Sequence, residues 1–164
     1  MIYMFFMIIT KFYSPNFSNK ARSNRKINSI IIHYTGMQSE RESLERLVSL
    51  KSKVSCHYLI NRSGKIFRIV KDHHIAWHAG KSMWGKYKNL NKNSIGIELV
   101  NKGHKYGYQS FTKIQIKKLI YLCKSLMRKY RIKNKLILGH SDIAPLRKID
   151  PGEKFPWHFS HQKK

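Results

Sequence analysis

The run of residues 30–34 constrains the fold more than any other part of the chain. Three consecutive isoleucines precede His33 and Tyr34, without the polar alternation that a half-exposed strand shows. Such a run is typical of a central strand covered on both faces, which requires a layer of structure above and below the sheet. Thr35-Gly36 ends the run. This segment therefore favours an α/β domain.

Capping and apolar spacing predict two helices and a hairpin. A capping box that begins at Ser39 predicts a helix over residues 40–51, and a second box at Thr112 opens the longest helix. Two apolar runs on either side of the Gly-bearing turn 61–64 predict a β-hairpin.

Two more strands and a long loop complete the predicted fold. Residues 94–100 alternate so that Gly96 and Glu98 share one face, and residues 136–138 form a short buried strand. Residues 71–93 show no regular period, which is typical of a binding loop. We therefore expect one α/β domain with a mixed central β-sheet flanked by helices.

The length of 164 residues suits a single domain with appendages at both ends. We expect an apolar segment and extended arm over 1–28, the main domain over 29–158 and a basic tail over 159–164. The first nine residues are too short to span a membrane, so no transmembrane anchor is expected. A degenerate secretion signal and a docked N-terminal segment both fit them.

The charge balance favours anionic partners, since 33 Lys and Arg against 8 Asp and Glu give a net charge of +25. The basic residues are dispersed, so a general compositional bias explains them equally well. A basic amphipathic helix or an aromatic-studded sheet motif is missing, and nucleic acid is not an expected partner. Cys56 and Cys123 lie in apolar contexts at unrelated spacing, which predicts buried free thiols.

Three residues combine metal-ligand chemistry with a rigid backbone. His140 ends an apolar strand, Asp150 directly precedes Pro-Gly, and His33 ends another apolar run. Two histidines and one carboxylate leave an open position on a zinc ion, as catalytic sites do. The alternative is that each histidine is an ordinary hydrogen-bonded core residue.

Glu98 is the one acidic residue whose strand pattern points it inward. A buried carboxylate needs a partner. A zinc-bound water beside basic groups would provide one, and a structural salt bridge to a lysine is the alternative.

Several short motifs resemble those of the zinc-dependent N-acetylmuramoyl-L-alanine amidases, the type 2 amidases related to phage amidase lysozymes and animal peptidoglycan-recognition proteins. The resemblance covers about residues 13–158, in order and at sensible spacing. Its motifs are 33–35 (HYT), 55–60 (SCHYLI), 76–80 (AWHAG), 93–99 (NSIGIEL) and 139–152 (GHSDIAPLRKIDPG).

The resemblance implies a role for each matching residue. The zinc ligands of the family fall on His33, His140 and Asp150, and its catalytic acid/base pair falls on Glu98 and Lys148. Members that only bind peptidoglycan typically lack a zinc ligand, and none is missing here.

The resemblance also implies a substrate groove that includes Trp77, His78, Tyr34 and Asn93. A tyrosine used catalytically in the phage branch corresponds to Cys56, which assigns the base role to Glu98, as in the bacterial branch.

The implied function is zinc-dependent hydrolysis of the amide between N-acetylmuramic acid, or its 1,6-anhydro form, and L-alanine of peptidoglycan stem peptides. A non-catalytic peptidoglycan-binding module is the alternative. The expected partners are peptidoglycan or muropeptides, and the expected state is a monomer. The run 89–91 resembles envelope-located amidases more than the cytoplasmic recycling enzyme, which implies the cell envelope or periplasm, with the cytoplasm as the alternative.

Overall fold

The computed structural model describes residues 7–159. Ten strands and three α-helices follow one another along the chain, joined by turns and short 3₁₀ segments. The strands are β1 (Ile8–Ile9), β2 (Phe17–Ser18), β3 (Ser29–Tyr34), β4 (Tyr58–Ile60), β5 (Ile66–Arg68), β6 (Ile75–Ala76), β7 (Met83–Trp84), β8 (Tyr87–Lys88), β9 (Ser94–Leu99) and β10 (Ile137–Gly139). The helices are α1 (Glu40–Val48), α2 (Lys113–Tyr130) and α3 (His140–Ile143).

Six strands form one mixed sheet in the order β1-β5-β4-β9-β3-β10. Only the β4–β5 hairpin is antiparallel, and every other neighbouring pair runs parallel. β3 lies between two partners and is buried on both faces, as its apolar run predicts. The predicted fold class, a mixed sheet flanked by helices, is confirmed.

One face of the sheet is covered by α2. The helix residues Leu119, Leu122 and Leu126 pack against apolar side chains of the sheet, which include Ile30 and Ile95. The buried side chain of Gln115 donates to the carbonyls of Ile60 and Val100, which fastens the helix to the sheet. Its backbone N–H is capped by the Thr112 hydroxyl, as the sequence predicts.

The opposite face is covered by two smaller layers. Leu44 and Leu47 of α1 pack with Leu59 and Phe67 of the hairpin. Beside them, Ala79 and Leu90 of the 71–93 segment pack against Ile31 and Leu138. The functional site lies on this same face of the sheet.

The two cysteines lie in different layers. Cys123 belongs to the cluster around α2 and Cys56 to the cluster around α1, and both are buried free thiols, as predicted.

Several predicted boundaries need correction. α1 ends at Val48 rather than at residue 51, because the backbone becomes extended at Ser49 and then enters a short 3₁₀ turn. The predicted loop 71–93 contains the short strands β6, β7 and β8, which gain partners from outside the segment or from each other. These strands form through pairing with other segments, which the period of apolar residues in the local sequence does not reveal.

The N-terminal segment joins the main domain over its described part. β1 pairs with β5 and β2 pairs with β6, so residues 8–9 and 17–18 are docked. Residues 1–6 and 160–164 of the predicted terminal segments lie outside the described residues. Across 7–159, none of the helices has the length and apolar character that crossing a bilayer demands.

Candidate metal centre and active site

The site forms where three adjacent parallel strands end at the same edge of the sheet. His33 pairs in register with Glu98, and Ile32 pairs with Gly139, so His140 directly follows the neighbouring strand end. Parallel register therefore brings residues that are far apart in sequence to one place.

His33, His140 and Asp150 converge at this edge. His33 Nδ1 lies 3.0 Å from His140 Nδ1 and 3.1 Å from Asp150 Oδ2, and His140 Nδ1 lies 3.2 Å from the same oxygen. Tetrahedral coordination with bonds near 2.0–2.1 Å places neighbouring ligand atoms about 3.3 Å apart. The three side chains are buried and could hold a metal ion.

The contacts of both rings suit a metal. His140 Nε2 lies 3.1 Å from the Ala79 carbonyl; because a carbonyl only accepts, Nε2 donates to it, and the lone pair of a neutral ring is then on Nδ1. Burial, and then the neighbouring His140, lower the pKa of His33 to about 4, so that ring is neutral at physiological pH. Two imidazoles and a carboxylate form a donor set that fits zinc.

Asp150 is held by backbone contacts. Its carbonyl accepts from the Ser141 N–H at 2.9 Å, which ties the turn to the start of α3. The Asp142 carboxylate accepts from the Gly139 N–H at 2.7 Å and caps the same helix. These contacts join the His140 and Asp150 backbones into one rigid unit.

Glu98 supplies a buried carboxylate oxygen next to this cluster. Within the described chain its Oε2 has no hydrogen-bond partner. Burial raises the pKa of Glu98 to about 8, with a further contribution from Asp150, while the charges of Lys148 and Arg46 act in the opposite direction. A carboxylate with an unpartnered oxygen and a raised pKa has the properties of a general acid/base.

Lys148 is half-buried and lies two residues before Asp150. Its backbone N–H donates to the Ala144 carbonyl at 3.0 Å, which shapes the turn that carries both residues. A cleft of about 540 Å³ opens here, and its walls include Lys148, His104, Glu153 and Trp157.

The residues predicted for the substrate groove lie in four different environments. Tyr34 is half-buried, and its hydroxyl lies 2.8 Å from Nδ1 of His104, a residue that lines this cleft. The Trp77 side chain points away from this cleft, since its indole N–H donates to the Ser18 hydroxyl of the N-terminal arm.

The structure does not place Asn93 and His78 in such a groove. Asn93 precedes β9, five residues or about 16 Å of extended strand before Glu98, so it lies at the opposite end of the strand from the metal ligands. His78 is buried behind His33, with its Nδ1 3.0 Å from His33 Nε2. Motif matching assigned both residues without the strand length and burial that separate them from a surface groove.

Sequence reasoning missed the residues that surround the ligands. The Ala79 carbonyl, the Ser94 hydroxyl and the Asn91 side chain contact the ligand histidines or their neighbours. A backbone carbonyl leaves no signal in a sequence. Asn91 and Ser94 resemble ordinary loop residues until the fold brings them together.

Comparison with known proteins places this arrangement in a family. The family described as N-acetylmuramoyl-L-alanine amidase matches residues 23–153. The amidase AmiD of Escherichia coli K12 is 40% identical over 145 residues, covering 80% of this chain and 51% of AmiD. The 1,6-anhydro-N-acetylmuramyl-L-alanine amidase AmpD of Haemophilus influenzae is 33% identical over 162 residues, covering 88% of this chain and 85% of AmpD. The chain thus spans about half the length of AmiD.

Solved structures of amidases are similar to this chain. The complex of E. coli AmiD with the substrate anhydro-N-acetylmuramic acid-L-Ala-D-gamma-Glu-L-Lys has a TM-score of 0.76 at 36% identity, covering 88% of this chain and 59% of that one. AmpDh3 of Pseudomonas aeruginosa, in complex with an anhydromuramic pentapeptide, has a TM-score of 0.78 at 32% identity, covering 88% and 64%.

Proposed function

Because this chain belongs to the N-acetylmuramoyl-L-alanine amidase family, we propose that it hydrolyses the amide bond between N-acetylmuramic acid, or its 1,6-anhydro form, and L-alanine of a peptidoglycan stem peptide. The observation that carries the proposal is the His33, His140 and Asp150 cluster with Glu98 beside it. A module that only binds peptidoglycan would need neither the complete donor set nor a carboxylate with a buried, unpartnered oxygen.

We propose zinc as the metal, held by His33 Nδ1, His140 Nδ1 and Asp150 Oδ2. When bound, zinc supplies a Lewis acid that polarises the scissile carbonyl and lowers the pKa of water toward neutrality. Three protein ligands leave a coordination position free for such chemistry.

Two side chains of the protein complete the reaction. Glu98 accepts a proton from the attacking water and returns it to the departing amine of L-alanine. For this role its buried, unpartnered oxygen needs no competing hydrogen bond to break first. Lys148 carries a fixed positive charge that stabilises the negative oxygen developing on the carbonyl in the transition state.

We propose that the stem peptide lies in the cleft beside Lys148, with Tyr34 and His104 at its edge. Stem peptides carry carboxylates, and the net charge of +25 favours their approach. The muropeptides of the AmiD and AmpDh3 complexes belong to this chemical class.

The proposal is tested by mass spectrometry of the products from purified muropeptides and from intact sacculi, with zinc added or removed by a chelator. We expect zinc-dependent release of free peptide that begins with L-alanine. Peptidoglycan that is bound but never cleaved would instead identify a binding module.

For the compartment we propose the cell envelope, and for the oligomeric state a monomer. The resemblance of residues 89–91 to envelope-located amidases supports the first proposal. Cell fractionation with a cytoplasmic marker, and light scattering of the purified protein, test the two statements separately.

A further inference from the structure

We propose that His78 is a positioning residue of the metal centre, which holds His33 in the one tautomer that directs Nδ1 to the metal. The next residue, Ala79, does the same for His140 through its carbonyl. The inference rests on the proposed zinc site and assigns His78 a role different from the substrate contact implied by its motif.

The tautomer of His33 follows from a chain of hydrogen bonds that begins at a carbonyl. The Ser94 hydroxyl donates its only proton to the Leu90 carbonyl at 2.6 Å. Towards His78 Nε2, 3.1 Å away, Ser94 Oγ therefore accepts, so the ring proton of His78 is on Nε2. His78 Nδ1 is then an acceptor, and it receives the Nε2–H of His33 at 3.0 Å. His33 Nδ1 keeps its lone pair.

The dipeptide His78-Ala79, which contacts both ligand histidines, is itself held in place by hydrogen bonds. Asn91 Oδ1 accepts from the N–H of His78 at 3.1 Å and from that of Ala79 at 2.6 Å. The Ala79 carbonyl also accepts from Arg147 at 2.9 Å, on the turn that leads to Asp150. One short segment thus sets the orientation of two ligands and contacts the approach to the third.

β9 leaves space for this arrangement at Gly96. The strand passes beneath the ring of His78 at Gly96, where a Cβ atom would clash with the ring. The ring is buried, so it is not available to a ligand at the surface. Its two polar atoms contact His33 and Ser94, which accounts for both ring nitrogens.

The effect on metal binding follows from preorganisation. With these hydrogen bonds, His33 Nδ1, His140 Nδ1 and Asp150 Oδ2 all present lone pairs within 3.0–3.2 Å of one another. Without His78, the His33 ring is free to rotate or to change tautomer, and ordering it must then accompany metal binding. Loss of such outer partners typically weakens metal affinity by roughly 10–100-fold.

The test compares His78→Leu, which removes the acceptor, with His78→Asn, whose Oδ1 lies the same number of bonds from the backbone as Nδ1. Zinc affinity is measured by competition with a chromophoric chelator. We expect a loss of about 10–100-fold for His78→Leu and substantial recovery for His78→Asn. Trp77→Phe, at the neighbouring position whose indole contacts Ser18, is the matched control and should bind zinc like the wild type.

A second readout does not need the metal. In metal-free, ¹⁵N-histidine-labelled protein, the ring nitrogen shifts should show His33 protonated at Nε2, and His78→Leu should lose this single tautomer. Should His78→Leu fail to fold, Ser94→Ala provides the same tautomer measurement on His78 after removal of one hydroxyl. Thermal unfolding of each metal-free variant establishes that it is folded.

The outcomes separate the two proposals. Wild-type protein that does not bind zinc overturns the proposed function, while the tautomer measurement still tests the hydrogen-bond chain. Zinc binding by the wild type with equal affinity in His78→Leu overturns the positioning role alone. Equal losses in His78→Leu and His78→Asn also overturn it, because they indicate packing rather than a hydrogen-bond acceptor.

Discussion

His33 and Glu98 are register partners on β3 and β9, so a proposed metal ligand and a buried carboxylate with an unpartnered oxygen leave the same face of the sheet side by side. The two residues have different proposed roles in the site. His33 has its Nδ1 in the donor cluster, whereas Glu98 is not needed as a ligand and is available for proton transfer.

Glu98→Gln should therefore keep zinc and lose turnover. General acid/base catalysis contributes roughly 10²–10⁴-fold, which sets the expected decrease in kcat/KM on a muropeptide. Zinc content, measured on the same samples, is the control. A variant with a near wild-type rate would remove Glu98 from the mechanism.

Lys148→Met should also keep zinc while losing about 3–4 kcal/mol of transition-state stabilisation, because it removes one charge at the developing oxyanion. Since Lys148 and Glu98 act on one transition state, the double variant should lose less than the product of the two single losses. A double-mutant cycle on kcat/KM measures this coupling, and strict multiplicativity would show that the two groups act independently.

Asp150→Ala should lose the metal, because it removes the only oxygen from the donor cluster. His104→Ala is the matched control, since His104 contacts Tyr34 and Glu153 rather than the ligand atoms. Metal analysis after dialysis against limiting zinc distinguishes the two variants. The reverse pattern would mean that the metal is bound elsewhere.

A buried carboxylate at Asp72 should make the protein sensitive to acid. Burial acts to raise the pKa of Asp72, but hydrogen bonds from Tyr130, Tyr58 and Lys129 outweigh it, so the folded-state pKa lies below the ordinary value of 3.8. A depressed folded-state pKa stabilises the protein above the unfolded-state pKa, and this stabilisation is lost as the pH falls through the folded-state value.

Asp72→Asn should consequently lower the free energy of unfolding near neutral pH by about 1.5–3 kcal/mol, the range for a hydrogen bond to a charged group, and flatten its decline below pH about 4. Denaturant titrations at several pH values measure both effects. Glu45→Gln, which alters an exposed pair with Arg41, should leave the acid dependence as in the wild type. An unchanged slope in Asp72→Asn would show that other groups govern acid unfolding.

Cys56 and Cys123 should both react with a thiol reagent in denaturant without reductant, and neither should react rapidly in the native state. Burial raises the pKa of Cys123 to about 12 and that of Cys56 well above its ordinary value, so little thiolate is present. Their positions on opposite faces of the sheet exclude a bridge between them. Finding no free thiol after unfolding would contradict this.

Much of the fold was predictable from local patterns. The apolar run that ends at His33, the cap at Thr112 and the Gly-bearing hairpin turn each describe a structure completed within a few residues. The candidate ligands of the donor cluster were predictable for the same reason: strand ends and an Asp-Pro-Gly turn restrict the backbone locally, and ligand chemistry is a property of the residue type.

The sequence by itself determined which residues carry metal-binding and acid/base chemistry, since side-chain identity and local period report both. Only the tertiary structure decided which of them meet. Asn93 shares a motif with Glu98, but an extended strand separates them by about 16 Å. His78 resembles a surface groove residue, but β9 passes beneath it at Gly96 and buries it behind His33. Such burial and hydrogen-bond partners depend on parallel strand register and long-range packing, which join residues that no local sequence pattern connects.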